Sequence, residues 1–441
     1  MGERIRDSIW DKSGVIGGML GSIPIPKMAR IGQEFADERL TDIPGTIAGE
    51  FLKKEIRSAI KPGMSVAITA GSRGLSDFAL IVKETVEQVR KLGGNPFIIP
   101  AMGSHGGATA EGQLDVLASY GITEATMGVP VKSSMETVIV GQTQEGKPVH
   151  IDKHASEADG IVVVGRVKPH TCFRGRYESG LVKMMAIGLG KQKGAESCHA
   201  EGFGKMAENI EAFADQIIAK TNILFGIAIV ENAFDRTSRI EAIPTERIKQ
   251  REGELLLEAK SLMPSIYLRN FDILIIDRIG KNISGDGADP NISGTYATPY
   301  ASGGPEFQRY VVLDLTDETH GNANGIGMAD FTTKRVFDKT DFDLTYPNGL
   351  TTTLVSTLSM PMVLRNDKSA MQAAIFSCNG IDKSRPRIVR LKNTAHVEEI
   401  MVSEALLEEV RAHPRLRILD EPKEPVFDQD GNLRPGENVW A

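Results

Sequence analysis

Apolar positions in this chain fall into short runs that alternate with stretches of helical spacing. Met64 to Ala70 is a β-type run that meets the loop Gly71-Ser72-Arg73-Gly74, and a helical pattern follows from Ser76 to Lys91, closed by Gly93-Gly94. Pro96 to Pro100 reads as the next strand and Gly103-Ser104-His105-Gly106-Gly107 as its loop. Thr109 is placed to cap a helix over 111–120 that stops at Gly121. A polar stretch with room for a hairpin comes next, then the buried-strand candidate Gly160 to Gly165 and another loop. Strand, loop and helix repeating in this order predict a parallel, doubly wound sheet.

The pattern continues with an amphipathic helix over 205–220, with Ile210, Phe213, Ile217 and Ile218 on one side, and a strand from Ile223 to Val230. Thr245 is placed to cap a long helix running to Leu262, which Pro264 ends; such a helix suits an inter-domain connector. A second α/β unit begins with the run Asp272 to Asp277 and includes a strand from Tyr310 to Leu315 and a helix from Leu350 to Ser359. The first forty residues are Gly/Pro-rich and read as irregular, and the tail from Glu421 reads as a surface wrap. The expected fold is therefore α/β with two domains and the active site in the cleft between them. Residues 1–268, joined by the tail 405–441, form the larger, mostly parallel-sheet domain, and 269–404 form the smaller one.

At 441 residues, 41% apolar and 25% charged, the chain has an ordinary globular composition, and its formal net charge of −7 argues against a nucleic-acid partner. Cys172, Cys198 and Cys378 are too few and too oddly spaced for a disulfide framework. The start lacks the apolar core of a signal peptide, and no apolar run approaches the roughly 20 residues a bilayer span needs. A cytoplasmic protein without membrane contact is the plain expectation.

Three predicted strand-end loops carry polar residues suited to chemistry, namely Arg73, His105 and His170. Ligands of open α/β sheets bind beyond the carboxyl ends of the strands, which sets these apart from His150, His154, His396 and His413, left as structural residues. Arg166, Lys168, Arg174, Arg176 and Lys183 fall within eighteen residues, opposed by Glu178 alone, which suggests an anionic ligand. Lys183 interrupts an apolar run, where desolvation would make its amine nucleophilic. His199, next to Cys198, is either a metal ligand or a residue of a helix's first turn. Gly188-Leu-Gly190-Lys-Gln-Lys-Gly194 approximates a dinucleotide turn, but no acid-terminated strand follows about twenty residues later.

The stretch from His170 to His199 resembles the cofactor segment of the lactate racemase family, the nickel-pincer enzymes. Pro169-His170 is followed by Lys183, and His199 lies sixteen positions beyond Lys183, in the family's order. Arg73 in Gly-Ser-Arg-Gly resembles the family's substrate-carboxylate arginine, and His105 in Gly-Ser-His-Gly-Gly its first catalytic histidine. The resemblance spans roughly residues 60–300. It implies that Lys183 anchors a nickel-pincer nucleotide, that His199 ligates the nickel, and that His105 and His170 act as paired acid/bases. It further implies that Arg73 binds the substrate carboxylate, that Lys281 contacts the substrate from the second domain, and that maturation proteins load the cofactor. The activity implied is a racemase or epimerase of a small 2-hydroxy acid.

Some positions depart from the family pattern. Ala70 stands where lactate enzymes have an acid three residues before the arginine, and the interval from His170 to Lys183 is longer. Asn282, Asp286, Asp289 and Asn291 around Lys281 suggest a larger or more hydroxylated substrate than lactate, although a polar turn after a strand explains them equally well. Two other functions remain open on the sequence: an NAD(P)-dependent 2-hydroxyacid dehydrogenase, and a non-catalytic anion- or metal-binding protein.

Overall fold

The computed structural model describes residues 14–72 and 74–434. These divide into two compact units, one of residues 36–263 and the other of residues up to 35 together with those from 264 onward. The division corrects the sequence expectation, because the first residues and the tail both leave the N-terminal unit. The physical reason is strand pairing. Strand β1 (Met28–Gln33) emerges from the stretch read as irregular and lies antiparallel to two strands from the far end of the chain.

Unit 36–263 is built on a five-stranded sheet. Its strands are β2 (Ser65–Ala70), β3 (Asn95–Pro100), β6 (Gly160–Arg166), β7 (Ile223–Glu231) and β8 (Thr237–Pro244), with β4 (Thr137–Gln142) and β5 (Pro148–Asp152) forming a separate hairpin. The order is β3-β2-β6-β7-β8, parallel except for the last strand, which returns antiparallel to β7. Side chains alternate across the sheet. Val162 and Val164 of β6 belong to one core, with Ile68 and Ile98, while Ile161 and Val163 belong to the other, with Ala67 and Ile99. Both faces are thus covered, which is why these strands read as continuous apolar runs.

Helix Phe78–Lys91, which follows β2, buries Phe78, Ile81 and Val82 in the first core; the helical segment after β6 buries Leu181, Val182 and Met185 in the second. The β2–β3 and β6–β7 crossovers therefore lie on opposite faces, and the sheet has its topological switch point between β2 and β6. A crevice opens at such a point beyond the strand carboxyl ends.

The second unit holds an eight-stranded sheet formed by β1, β9 (Ile273–Ile279), β10 (Arg309–Leu315), β11 (Phe331–Thr333), β12 (Met362–Leu364), β13 (Ile388–Leu391), β14 (Glu399–Ser403) and β15 (Leu416–Ile418). The order is β12-β11-β10-β9-β13-β14-β1-β15, parallel from β12 to β13 and antiparallel thereafter. The helix expected over Leu350–Ser359 lies earlier, at Phe342–Thr352. Asp341 starts it by accepting N–H bonds from Asp343 and Leu344, and it ends where Thr353 turns left-handed at φ 62°. Among the described residues no helix is long and apolar enough to cross a membrane.

Candidate active site

Strands β3, β2 and β6 are neighbours and parallel, so their carboxyl-end loops share one edge of the sheet. Those loops hold His105, Ser72 with Arg73, and His170. Arg73 itself lies outside the described residues. Ser72 Oγ is in hydrogen-bond contact with His105 Nδ1, so the first two loops meet through side chains. Tyr120 holds the Ser72 carbonyl with its hydroxyl at 2.7 Å. Both loops also rest on the Lys183 segment: a Cβ at Gly71 would stand 3.0 Å from the Met184 methyl, and the Gly103 N–H donates to the Gly188 carbonyl at 3.3 Å.

His170 opens the loop after β6. The Glu178 carboxylate accepts its N–H at 2.7 Å, and its ring lies 4.4 Å from that of Phe173, centroid to centroid. The Cys172 N–H donates to His170 Nδ1 at 3.0 Å. A neutral imidazole that accepts at Nδ1 carries its proton on Nε2.

Lys183 is half-buried in the last turn of Leu181–Lys183, which runs directly into a π-helical turn, Met184–Gly188. Single π turns inside helices recur at functional sites. The chain then breaks at Gly190 and resumes as helix Lys191–His199, so His199 closes a helix rather than opening one. His199 Nδ1 lies 2.7 Å from the Ala195 carbonyl. A carbonyl can only accept, so Nδ1 carries the proton and Nε2 keeps its lone pair. Protein packed around this otherwise exposed ring lowers its pKa, with Lys183 adding to the effect and the Ala195 carbonyl opposing it. Phe203 is common to both histidines, its ring 6.3 Å from His170 and 6.1 Å from His199.

Cys198, fully buried, feels the charge of Lys183, yet burial dominates and pushes its thiol up to about 12. It is therefore a thiol at neutral pH, and alkylation of the folded protein with iodoacetamide is expected to spare it. Rapid modification of Cys198, read by peptide mass mapping, would contradict this placement. Asn209 fixes the end of the same helix by donating from Nδ2 to the Cys198 carbonyl at 2.9 Å, and Lys147 reaches Asn209 Oδ1 at 2.8 Å.

Glu252 carries no signal in the sequence beyond its place in an amphipathic helix. From Ile248–Leu262 it reaches the first turn of the Lys183 segment and accepts the Val182 N–H at 2.9 Å. Burial pushes its carboxyl up to about 7, against the opposing pull of the Val182 and Leu181 N–H groups. Because the folded-state value lies above the unfolded one, the protein loses stability as pH rises from about 4.5 through 7. That loss is at most about 3 kcal/mol for a shift of this size. Glu252→Gln is expected to remove it, so urea unfolding at pH 6 and pH 8 should give closer midpoints in the variant than in the natural chain.

The basic cluster is less free than its sequence count suggests. Arg166 is paired with Glu231, Arg174 lies 3.3 Å from Glu178, and Lys260 lies 2.7 Å from the same carboxylate. Glycines 188–194 follow a helical turn rather than a strand, so the strand–turn–helix context of a dinucleotide fingerprint is absent there. In the other unit, Lys281 is exposed just beyond β9, its ammonium bonded to Asn348 Oδ1. Asn282 accepts from Thr316 at 2.6 Å, and Asp289 accepts the Asn291 N–H at 2.9 Å. These polar residues are engaged in shaping the loop, which favours the polar-turn account of them.

Residues 42–210 match a family model described as the lactate racemase N-terminal domain. Among solved structures the chain is similar to a lactate racemase apoprotein from Thermoanaerobacterium thermosaccharolyticum. The identity is 16% and the TM-score 0.46, over 76% of this chain and 87% of that one. No curated protein matches the chain.

Proposed function

We propose, from the match of residues 42–210 to the lactate racemase N-terminal domain model, that the chain is a cytoplasmic racemase or epimerase of a small 2-hydroxy acid. It would use a nickel-pincer nucleotide attached to Lys183. The observation that carries the reading is the His199 tautomer, with Nδ1 tied to the Ala195 carbonyl and the Nε2 lone pair available sixteen residues beyond Lys183. A neutral imidazole fixed by a carbonyl on its far nitrogen is the usual form of a histidine metal ligand. Among the described residues no group of three or more His, Cys, Asp or Glu could hold a metal. One imidazole is a single donor, and a pincer group would bring the nickel's others with it. Lys183 supplies the amine for attachment, and Cys198, kept as a thiol, does not compete for it.

When bound, the nickel-pincer group would supply a reversible hydride acceptor, which suits an α-hydrogen too weakly acidic to leave as a proton. The protein's own residues handle the hydroxyl proton and the carboxylate. His105, in contact with Ser72 through Nδ1, takes the hydroxyl proton at Nε2. His170 presents Nε2–H towards the substrate oxygen, and it becomes a base only after releasing the Cys172 amide. Arg73 would bind the carboxylate, and Lys281 is a further candidate substrate contact. Maturation proteins are needed to build and load the cofactor.

Intact mass spectrometry with nickel analysis tests this on protein co-produced with those maturation proteins. A mass increment mapping to Lys183, with nickel, is the expected result, followed by racemisation in a hydroxy-acid screen. An unmodified mass without nickel, while a control enzyme is loaded in the same cells, would overturn the proposal.

A further inference from the structure

We infer that Lys191 is a positioning residue, a buried cation that locks the His105 loop to the segment running from Lys183 to His199. Its side chain is fully buried, and the residue sits at the break between the π turn and helix Lys191–His199. Its backbone is left-handed at φ 54°, a conformation that residues with a side chain rarely adopt unless their surroundings impose it.

The ammonium reaches three separate parts of the unit. It donates to the Pro100 carbonyl at the end of β3 (2.5 Å) and to Gln113 Oε1 in helix Ala110–Ser119 (3.1 Å), and it pairs with Asp152 at the end of β5 (3.0 Å). Gln113, also fully buried, passes the link on. Its Nε2 donates to the Gly103 carbonyl at 2.9 Å and to the His105 carbonyl at 3.2 Å. Asp152 is held in turn by the backbone, its N–H donating to the Leu189 carbonyl at 2.7 Å and its Oδ1 accepting from Ala155. One charge therefore fastens both sides of the His105 loop and the joint between Lys183 and His199.

An ammonium removed from water must have its donors met and its charge opposed, and here two oxygens and one carboxylate do both. An apolar side chain could fill the same space but would hold none of these carbonyls in register. The network therefore fixes where the His105 ring stands relative to Lys183. This rests on the function proposed above for the meaning of that placement, though not for the placement itself.

The test uses apoprotein and two independent variants. Gln113→Glu keeps an acceptor for Lys191 but loses the donor to the Gly103 and His105 carbonyls. The double variant Lys191→Met/Asp152→Asn removes the buried pair without leaving one charge alone. Hydrogen exchange of peptides covering 101–112 is expected to quicken about tenfold or more in both, while peptides covering 65–70 and 160–166 stay as in the natural chain. The ring-nitrogen shifts of His105 in histidine-labelled spectra should move, and those of His413 should not. Should the double variant fail to fold, Gln113→Glu decides alone. Loop exchange within twofold of the natural chain and an unmoved His105 signal would overturn the inference. If the loaded natural enzyme turned over no hydroxy acid, the functional reading would fail while the exchange result still judged the role of Lys191.

Discussion

Lys183→Ala, made together with the maturation proteins, is expected to carry neither the mass increment nor nickel, and to racemise at background. On the function proposed above, the substitution removes the amine that would carry the cofactor, and the Cys198 thiol, pushed up to about 12 by burial, is a poor substitute nucleophile. Folding should be little affected. Lys183 is only half-buried, and truncation at such a position typically costs within about 1 kcal/mol. His199→Ala should behave differently, keeping the increment at Lys183 but losing nickel affinity on the order of tenfold or more. The pair of results separates anchor from ligand. Full nickel retention in His199→Ala would show that the metal is held elsewhere, and an increment surviving in Lys183→Ala would displace the attachment site.

His105→Gln and His170→Gln are each expected to lower kcat/KM by about 10²–10⁴-fold, the usual worth of a positioned acid/base. For a racemase the loss must be equal in both directions, since the two enantiomers are equally stable and the ratio of the two kcat/KM values is fixed by their equilibrium. Direction therefore cannot distinguish the two histidines. A loss below about tenfold in either variant would remove that histidine from the proposed acid/base pair.

Much of the N-terminal unit was legible because its strands are buried on both faces and end in loops marked by Gly, Ser and His. Ser65–Ala70, Asn95–Pro100, Gly160–Arg166 and the cap at Thr109 all lie within a residue or two of the pattern. The second unit was less legible. Its last strands are only three to five residues long, too short for period-2 alternation to register, and β1 hides among glycines and prolines. The site histidines stood out through their loops. Glu252, Gln113 and Lys191 did not, because their importance comes from burial beside distant backbone groups. Lys191, in the glycine turn 188–194, gives no sign of its place until its ammonium is found on the Pro100 carbonyl.

Strand β1 lies between β14 and β15, bonded to both. During synthesis it then waits 366 residues, from Gln33 to Glu399, before the first of these partners begins to exist. Residues 36–263 hold their own sheet and both of its cores, so they can fold while that wait continues; the second unit cannot close its sheet until β14 and β15 have been made. A fragment beginning at 264 would leave β14 and β15 facing an empty slot. It should precipitate or recruit a foreign strand, whereas the same fragment with residues 14–35 joined after its tail by a short linker should stay dispersed.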